Sequence, residues 1–134
     1  FLKRVFDIVP PNWAMVGRWV AHLKSGKVFH DDIAEALAFS FENLFGWIFH
    51  YFVGFIYVVI FMLLVGKEWL SELTLLPVWL YAISIILVGW FLLHPGLGLG
   101  MALAKTENPF KGRWMGLMTH SFFGLGMWFG AFAI

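Results

Sequence analysis

Long apolar runs, rather than an alternating or amphipathic pattern, dominate this chain. The longest run, 44–65, has 22 residues and a single histidine, His50, as its only group that titrates near neutral pH. At about 1.5 Å of rise per residue, such a helix crosses a hydrocarbon core about 30 Å thick. The runs at 73–93 and 114–134 are nearly as long. The pattern predicts an all-α, integral membrane helical bundle with three spanning helices in this chain.

The segment before the first span, 1–43, is more polar. Pro10 and Pro11 stop any helix that precedes them. If an amino-terminal helix is missing from this chain, residues 1–9 are the end of a fourth spanning helix. Mixed aromatic and basic residues up to Lys27 predict a cytoplasmic-side interfacial helix. The aspartates that follow His30 are good helix-start residues, and we expect the helix that they begin to continue into the first span.

Composition supports a membrane protein. Hydrophobic residues make up 61% of the chain and charged residues 13%, and the mean hydropathy is +0.83. A soluble domain has a charged share nearer about 25%. The absence of cysteine excludes disulfides and thiolate metal sites. The scattered basic residues do not form a nucleic-acid footprint. We therefore treat 1–134 as a single membrane domain with no nucleic-acid partner.

The basic residues predict the orientation of the spans. Eight of the nine Lys and Arg residues lie in 1–43 and 94–113, and only Lys67 lies in the 66–72 loop. By the positive-inside rule, 1–43 and 94–113 face the cytoplasm and 66–72 faces outside.

One motif occurs twice, as Gly46-x-x-x-His50-x-x-x-Gly54 and Gly116-x-x-x-His120-x-x-x-Gly124. A spacing of four places each histidine and its glycines on one helix stripe. Each histidine is the seventh residue of its span, and both spans run from inside to outside. We therefore expect His50 and His120 to meet at one depth near the cytoplasmic side.

Three interpretations of this histidine pair stay open. The histidines could be structural, each donating a hydrogen bond to a neighbouring helix. They could bind haem b or a divalent metal ion. They could carry a proton or substrate path, as in a small transporter. The metal interpretation needs further ligands, for which the candidates are His94, His30, Asp31 and Glu42, and the proton path would use Glu42. Candidate hydrogen-bond partners of the histidines are Asn43, Tyr57, Thr119 and Ser121.

Other glycines predict packing and turns. The pairs Gly112/Gly116 and Gly126/Gly130 are expected to pack against helices of this chain, with a dimer seam as the alternative. The glycines at 96, 98 and 100 predict a tight bend at the membrane edge, and His22 is expected to be solvated or interfacial.

Several strings together resemble a family of small bacterial integral membrane proteins, catalogued as domain of unknown function 2938. They are ValGlyArgTrpValAlaHisLeu at 16–23, HisAspAspIleAla at 30–34, GlyTrpIlePheHisTyrPheValGly at 46–54, ThrLeuLeuPro at 74–77, HisProGlyLeuGlyLeuGly at 94–100 and ThrHisSerPhePheGlyLeuGly at 119–126.

The resemblance implies a bacterial inner (plasma) membrane location, a further amino-terminal span and no established activity. It also implies that His50, His120 and the His30–Asp31 pair match motif positions of the family. His94 departs from the pattern, in which glutamine usually precedes the proline.

The sequence thus predicts a multi-pass membrane protein that binds a ligand at a His50/His120 centre. The alternative is an accessory subunit of a larger membrane complex, whose partners are the lipid bilayer and other membrane subunits. Whether the protein is an enzyme stays open, since an enzyme would need an acid–base or metal centre built from these same residues.

Overall fold

The computed structural model describes residues 11–133, and this part of the chain is helical without any strand. The predicted all-α class is therefore confirmed, whereas the predictions for 1–9 and Pro10 lie outside the described residues. The helices are α1 (Trp13–Leu23), α2 (Glu42–Val65), α3 (Trp69–Glu72), α4 (Leu75–Gly96) and α5 (Pro109–Ala131).

Helix α1 crosses the first turns of α2 at a very short distance. A Cβ atom on Gly17 would overlap the carbonyl oxygen of Glu42, and one on Gly46 would overlap the carbonyl oxygen of Trp13. The backbones of α1 and α2 therefore touch, which only residues without a side chain allow.

The expected helix from Asp32 into the first span is wrong. The structure forms only a short 3₁₀ turn, Ile33–Glu35, and α2 begins at Glu42 after Phe41, whose φ of 69° is left-handed. The reason is the Arg18 guanidinium on α1, which donates to three carbonyl groups in 33–36. Those carbonyls are then turned toward Arg18 instead of along a helix axis.

Helices α2 and α4 form an antiparallel hairpin. Gly66, with φ of 73°, ends α2, and Phe61, Trp69 and Val78 form a buried cluster where the chain reverses. Farther along the hairpin, the Tyr81 hydroxyl donates to the carbonyl of Tyr57 at 2.7 Å.

Helix α4 is irregular at its carboxyl end. A π-helical segment, Gly89–Leu93, leads into a final turn, His94–Gly96. The chain then bends sharply, with φ of 86° at Gly98 and 75° at Gly100. Both values lie where glycine is favoured, so the predicted tight bend is confirmed.

Helix α5 packs antiparallel on α4. Gly124 lies against Ala82, and Gly116 lies against Ile86. Because α4 is antiparallel to both neighbours, α2 and α5 run in the same direction. The packing predicted for Gly112 and Gly116 is confirmed, since a Cβ on Gly112 would meet the side chain of Leu103.

The packing predicted for Gly126 and Gly130 is wrong. Among the described residues, no atom lies within 4 Å of a Cβ built on either glycine. Both glycines are exposed, whereas Met127, Trp128 and Ala131 of the same part of α5 pack against the cluster of Phe61, Trp69 and Val78.

Two helices, α2 and α4, are long and apolar enough to cross a membrane. They correspond to the predicted spans 44–65 and 73–93. Helix α5 has 23 residues but is not one of the two. The third span, at 114–134, stays a prediction.

Candidate functional site

His120 has a fixed ring orientation on α5. Its Nδ1 lies 3.0 Å from the carbonyl oxygen of Gly116, one turn earlier on the same helix. A carbonyl oxygen can only accept a hydrogen bond, so Nδ1 carries the hydrogen. In the neutral ring the lone pair is then on Nε2, the atom available to a ligand.

His50 projects from α2 among aromatic rings. Its ring centroid lies 4.3 Å from that of Trp13 on α1 and 5.5 Å from that of Tyr51. The side chain is otherwise exposed, and a Cβ on Gly54, one turn later, would have no neighbour within 4 Å in the described residues. The ring is therefore supported on the α1 side and has open space on the Gly54 side.

His94, at the carboxyl end of α4, is half-buried. Its Nδ1 is inaccessible to solvent and has no hydrogen-bond partner within residues 11–133. A buried, unpaired ring nitrogen is unusual and calls for a physical explanation.

These three imidazoles belong to one electrostatic neighbourhood. His120 lies close enough to both His50 and His94 for their charges to interact. We call His50, His94 and His120 the imidazole cluster. The cluster adds His94, from α4, to the two predicted histidines, and a shared ligand of His50 and His120 stays a prediction.

The other predicted metal ligands, Glu42, His30 and Asp31, do not belong to the imidazole cluster. Both carboxylate oxygens of Glu42 accept hydrogen bonds from Arg18, and buried His30 lies with Nδ1 3.0 Å from the carbonyl of Gly96. Asp31 is exposed. Within the described range, no group of three or more His, Asp or Glu side chains is placed to hold a metal ion.

Two of the four polar neighbours expected to orient the histidines, Thr119 and Ser121, have other side-chain partners. The Thr119 hydroxyl donates to the carbonyl of Gly116, and the Ser121 hydroxyl accepts from the indole of Trp79 at 3.2 Å. Tyr57 contributes its carbonyl to Tyr81, as described above, and Asn43 is exposed.

Sequence reasoning missed the structural role of Arg18, which makes five side-chain hydrogen bonds within residues 11–133. Its guanidinium contacts Glu42 at 2.8 and 2.9 Å and also binds the 33–36 carbonyls, and the two side chains are 9% and 17% exposed. The hydrogen bond to Glu42, opposed by burial, raises the pKa of Arg18 above its ordinary value. We call this group the arginine clamp. The available signal was Glu42, an acid at the start of an apolar helix that needs a cation.

His22 is likewise less solvated than expected. It is half-buried, with Nε2 3.3 Å from the carbonyl of Leu37 and Nδ1 3.5 Å from Nε2 of His30.

The chain matches, over residues 1–134, the family described as "Protein of unknown function (DUF2938)", and it belongs to that family. It matches no curated protein and no solved structure.

Proposed function

We propose that this member of the family is a membrane protein that binds a metal through the imidazoles of His50 and His120, with the iron of a haem as the best fit. His94 is the remaining member of the imidazole cluster. The proposal starts from the ring geometry, because the family carries no activity.

The single observation that carries the proposal is the orientation of His120. Histidines that bind metals almost always donate their second ring N–H to a carbonyl, carboxylate or water, which leaves the other nitrogen as the ligand. The Gly116 carbonyl has this role for His120. A structural histidine that joins two helices would instead donate to a neighbouring helix.

The number of available ligands favours haem over a bare ion. A divalent ion in a protein usually needs three or four protein ligands, whereas haem iron needs only axial ligands because the porphyrin supplies four nitrogens. Glu42 and His30 are already bonded elsewhere. The open space beside Gly54 gives a flat macrocycle access to His50.

A visible spectrum and a metal analysis of the purified protein test this function. We expect a Soret band that His50→Ala and His120→Ala each abolish, while His22→Ala, a histidine outside the cluster, keeps it. Bound metal without a Soret band, lost in the same two variants, would identify a bare ion. Colourless, metal-free protein after haem and metal supplementation would refute the proposal.

We also propose the three-span topology in the inner membrane of a bacterium, with 1–43 and 94–113 in the cytoplasm. Its support is the two apolar helices and the distribution of basic residues. Because this chain has no cysteine, a single introduced cysteine reports which side of the membrane its position faces. With an impermeant thiol reagent on intact cells, we expect Ser71→Cys to be labelled and Thr106→Cys to be protected. The reverse result would contradict this orientation.

An accessory subunit is the second candidate. Only 6% of the most apolar part of α2 is buried, and Gly126 and Gly130 meet no atom of the described chain. These surfaces suit a neighbouring helix of another subunit. The particle mass in a mild detergent tests this, since Gly126→Leu should reduce the mass of a complex and leave that of a monomer unchanged. A proton path through Glu42 has less support, because both of its oxygens are bonded to Arg18.

A further inference from the structure

An apolar groove lies between the end of α1 and the 37–40 loop. Its volume is about 570 Å³, within the range of small-molecule sites. Val20 and Leu37 contribute to its walls, and the rings of Phe39 and Phe45 meet edge to face with centroids 5.4 Å apart. We call this the α1 groove, and it is separate from the imidazole cluster.

One end of the α1 groove is cationic. Lys24, His22 and Ser25 line it, and no acidic residue is among its lining residues. The carboxyl end of a helix normally disfavours anions. Here the backbone N–H and the hydroxyl of Ser25 both donate to the carbonyl of His22, which reduces that effect.

Hydrogen bonds fix the ring of His22 at this end of the groove. Nδ1 of His30 faces the Gly96 carbonyl, Nε2 of His22 faces the Leu37 carbonyl, and the two remaining ring nitrogens face each other. Carbonyl oxygens only accept, so Nε2 of His22 donates to the Leu37 carbonyl and Nδ1 of His30 donates to the Gly96 carbonyl.

The groove also lies where a bilayer surface would meet the protein. Phe45 is in the first turns of α2, which is long and apolar enough to span a membrane. Leu37, on the opposite wall, is 84% exposed. An apolar slot with a cationic end at this level matches an acyl chain attached to an anionic head group.

We propose that the α1 groove binds one anionic glycerophospholipid from the surrounding bilayer. An acyl chain lies between Leu37 and Phe45, and the phosphate lies against Lys24, with His22 and Ser25 beside it. This site needs neither a metal nor the imidazole cluster, so it is independent of the proposed metal centre, but it rests on the proposed membrane location.

Native mass spectrometry of the full chain, released from a neutral detergent with added lipid, tests the site. We expect one phosphatidylglycerol to bind more tightly than phosphatidylcholine. Lys24→Gln should weaken phosphatidylglycerol binding about fivefold, the effect of one basic residue near an anionic lipid. Lys27→Gln is the matched control, because Lys27 is exposed three residues later and does not line the groove. The affinity of the Lys27→Gln variant for phosphatidylglycerol should be unchanged.

Equal losses in the two lysine variants would mean general surface attraction and would overturn the proposal, as would equal binding of the two lipids. Leu37→Asn tests the acyl wall at a position too exposed to affect folding, and it should reduce phosphatidylglycerol occupancy. Unchanged occupancy would refute acyl binding in the groove. Oleate binding as tightly as phosphatidylglycerol would show a fatty-acid site and refute the phospholipid assignment.

Discussion

Two polar clusters of this protein differ in how completely their hydrogen bonds are made. In the arginine clamp, the guanidinium of Arg18 donates to both oxygens of Glu42 and to three backbone carbonyls. In the imidazole cluster, His94 has a buried nitrogen without a partner in the described chain, and His120 is bonded through Nδ1 to its own helix. The charged groups of the arginine clamp are hydrogen-bonded to each other and to the backbone, whereas the imidazole cluster keeps ring nitrogens that can bind a ligand.

This difference distinguishes residues that hold the fold together from residues that can bind a ligand. A saturated buried ion pair holds segments in place, and removing one partner leaves a charge without compensation. The hydrogen bond of His120 stays within its own helix and joins no second element, and Nε2 of this ring is left for a ligand. The clamp therefore explains how α1, the 33–36 turn and α2 are joined, and the cluster is where chemistry is expected.

The largest effect should come from breaking the clamp. Glu42→Ala leaves the Arg18 guanidinium with carbonyl partners only, and we expect a loss of about 3 kcal/mol in the free energy of unfolding. Titration with a denaturing detergent in mixed micelles measures it. The double variant Arg18→Met/Glu42→Ala should recover part of this loss. A loss below about 1 kcal/mol for Glu42→Ala would mean that the clamp does not join these segments.

The two glycines around His50 should respond in opposite directions. Gly46→Ala places a methyl group on the Trp13 carbonyl, and we expect a loss of about 2 kcal/mol as α1 is pushed away. Gly54→Ala, in open space on the same helix, should be neutral or stabilise by about 0.5 kcal/mol through helix propensity. The same detergent titration measures both. Similar losses at the two sites would contradict the α1–α2 crossing.

A smaller effect is expected at Trp19, which is 4% exposed and donates from Nε1 to the carbonyl of Val28 at 2.7 Å. Trp19→Phe removes this donor and leaves the carbonyl unpaired, which should cost about 1 kcal/mol. Trp47→Phe, at a position 38% exposed, is the control and should cost less. If the two variants unfold alike in the detergent titration, the Val28 contact has no role in stability.

The smallest effect on stability is expected within the imidazole cluster. His120→Ala removes a hydrogen bond to the backbone of its own helix, so the free energy of unfolding without ligand should fall by less than about 1 kcal/mol. Thermal unfolding of ligand-free protein is the measurement. A loss comparable to that of Glu42→Ala would make His120 a structural residue.

The sequence was sufficient for features that depend on long-range composition. Twenty-two apolar residues at 44–65 predict α2 because no other backbone arrangement satisfies its hydrogen bonds in an apolar environment. The bend at Gly98 was also predictable, because closely spaced glycines at 96, 98 and 100 favour a tight turn. The boundary at Glu42 did not follow, because helix propensity in 33–41 is overridden by Arg18, which is distant in sequence.

The candidate site was predictable only in part. The repeated motif around His50 and His120 identified two members of the imidazole cluster, but a stripe on one helix does not say which neighbour it faces. Gly46 and Gly54 are equivalent in sequence, yet α1 covers only Gly46. Similarly, Glu42 looked like a metal ligand until the position of Arg18 was known.

The most direct test of the central proposal is the visible spectrum of the haem-supplemented wild-type protein beside His120→Ala and the control His22→Ala. We expect wild type and His22→Ala to show the same low-spin spectrum of haem with two axial imidazoles, and His120→Ala to lose it. Identical spectra in wild type and His120→Ala, with or without bound haem, would contradict a metal centre at His120.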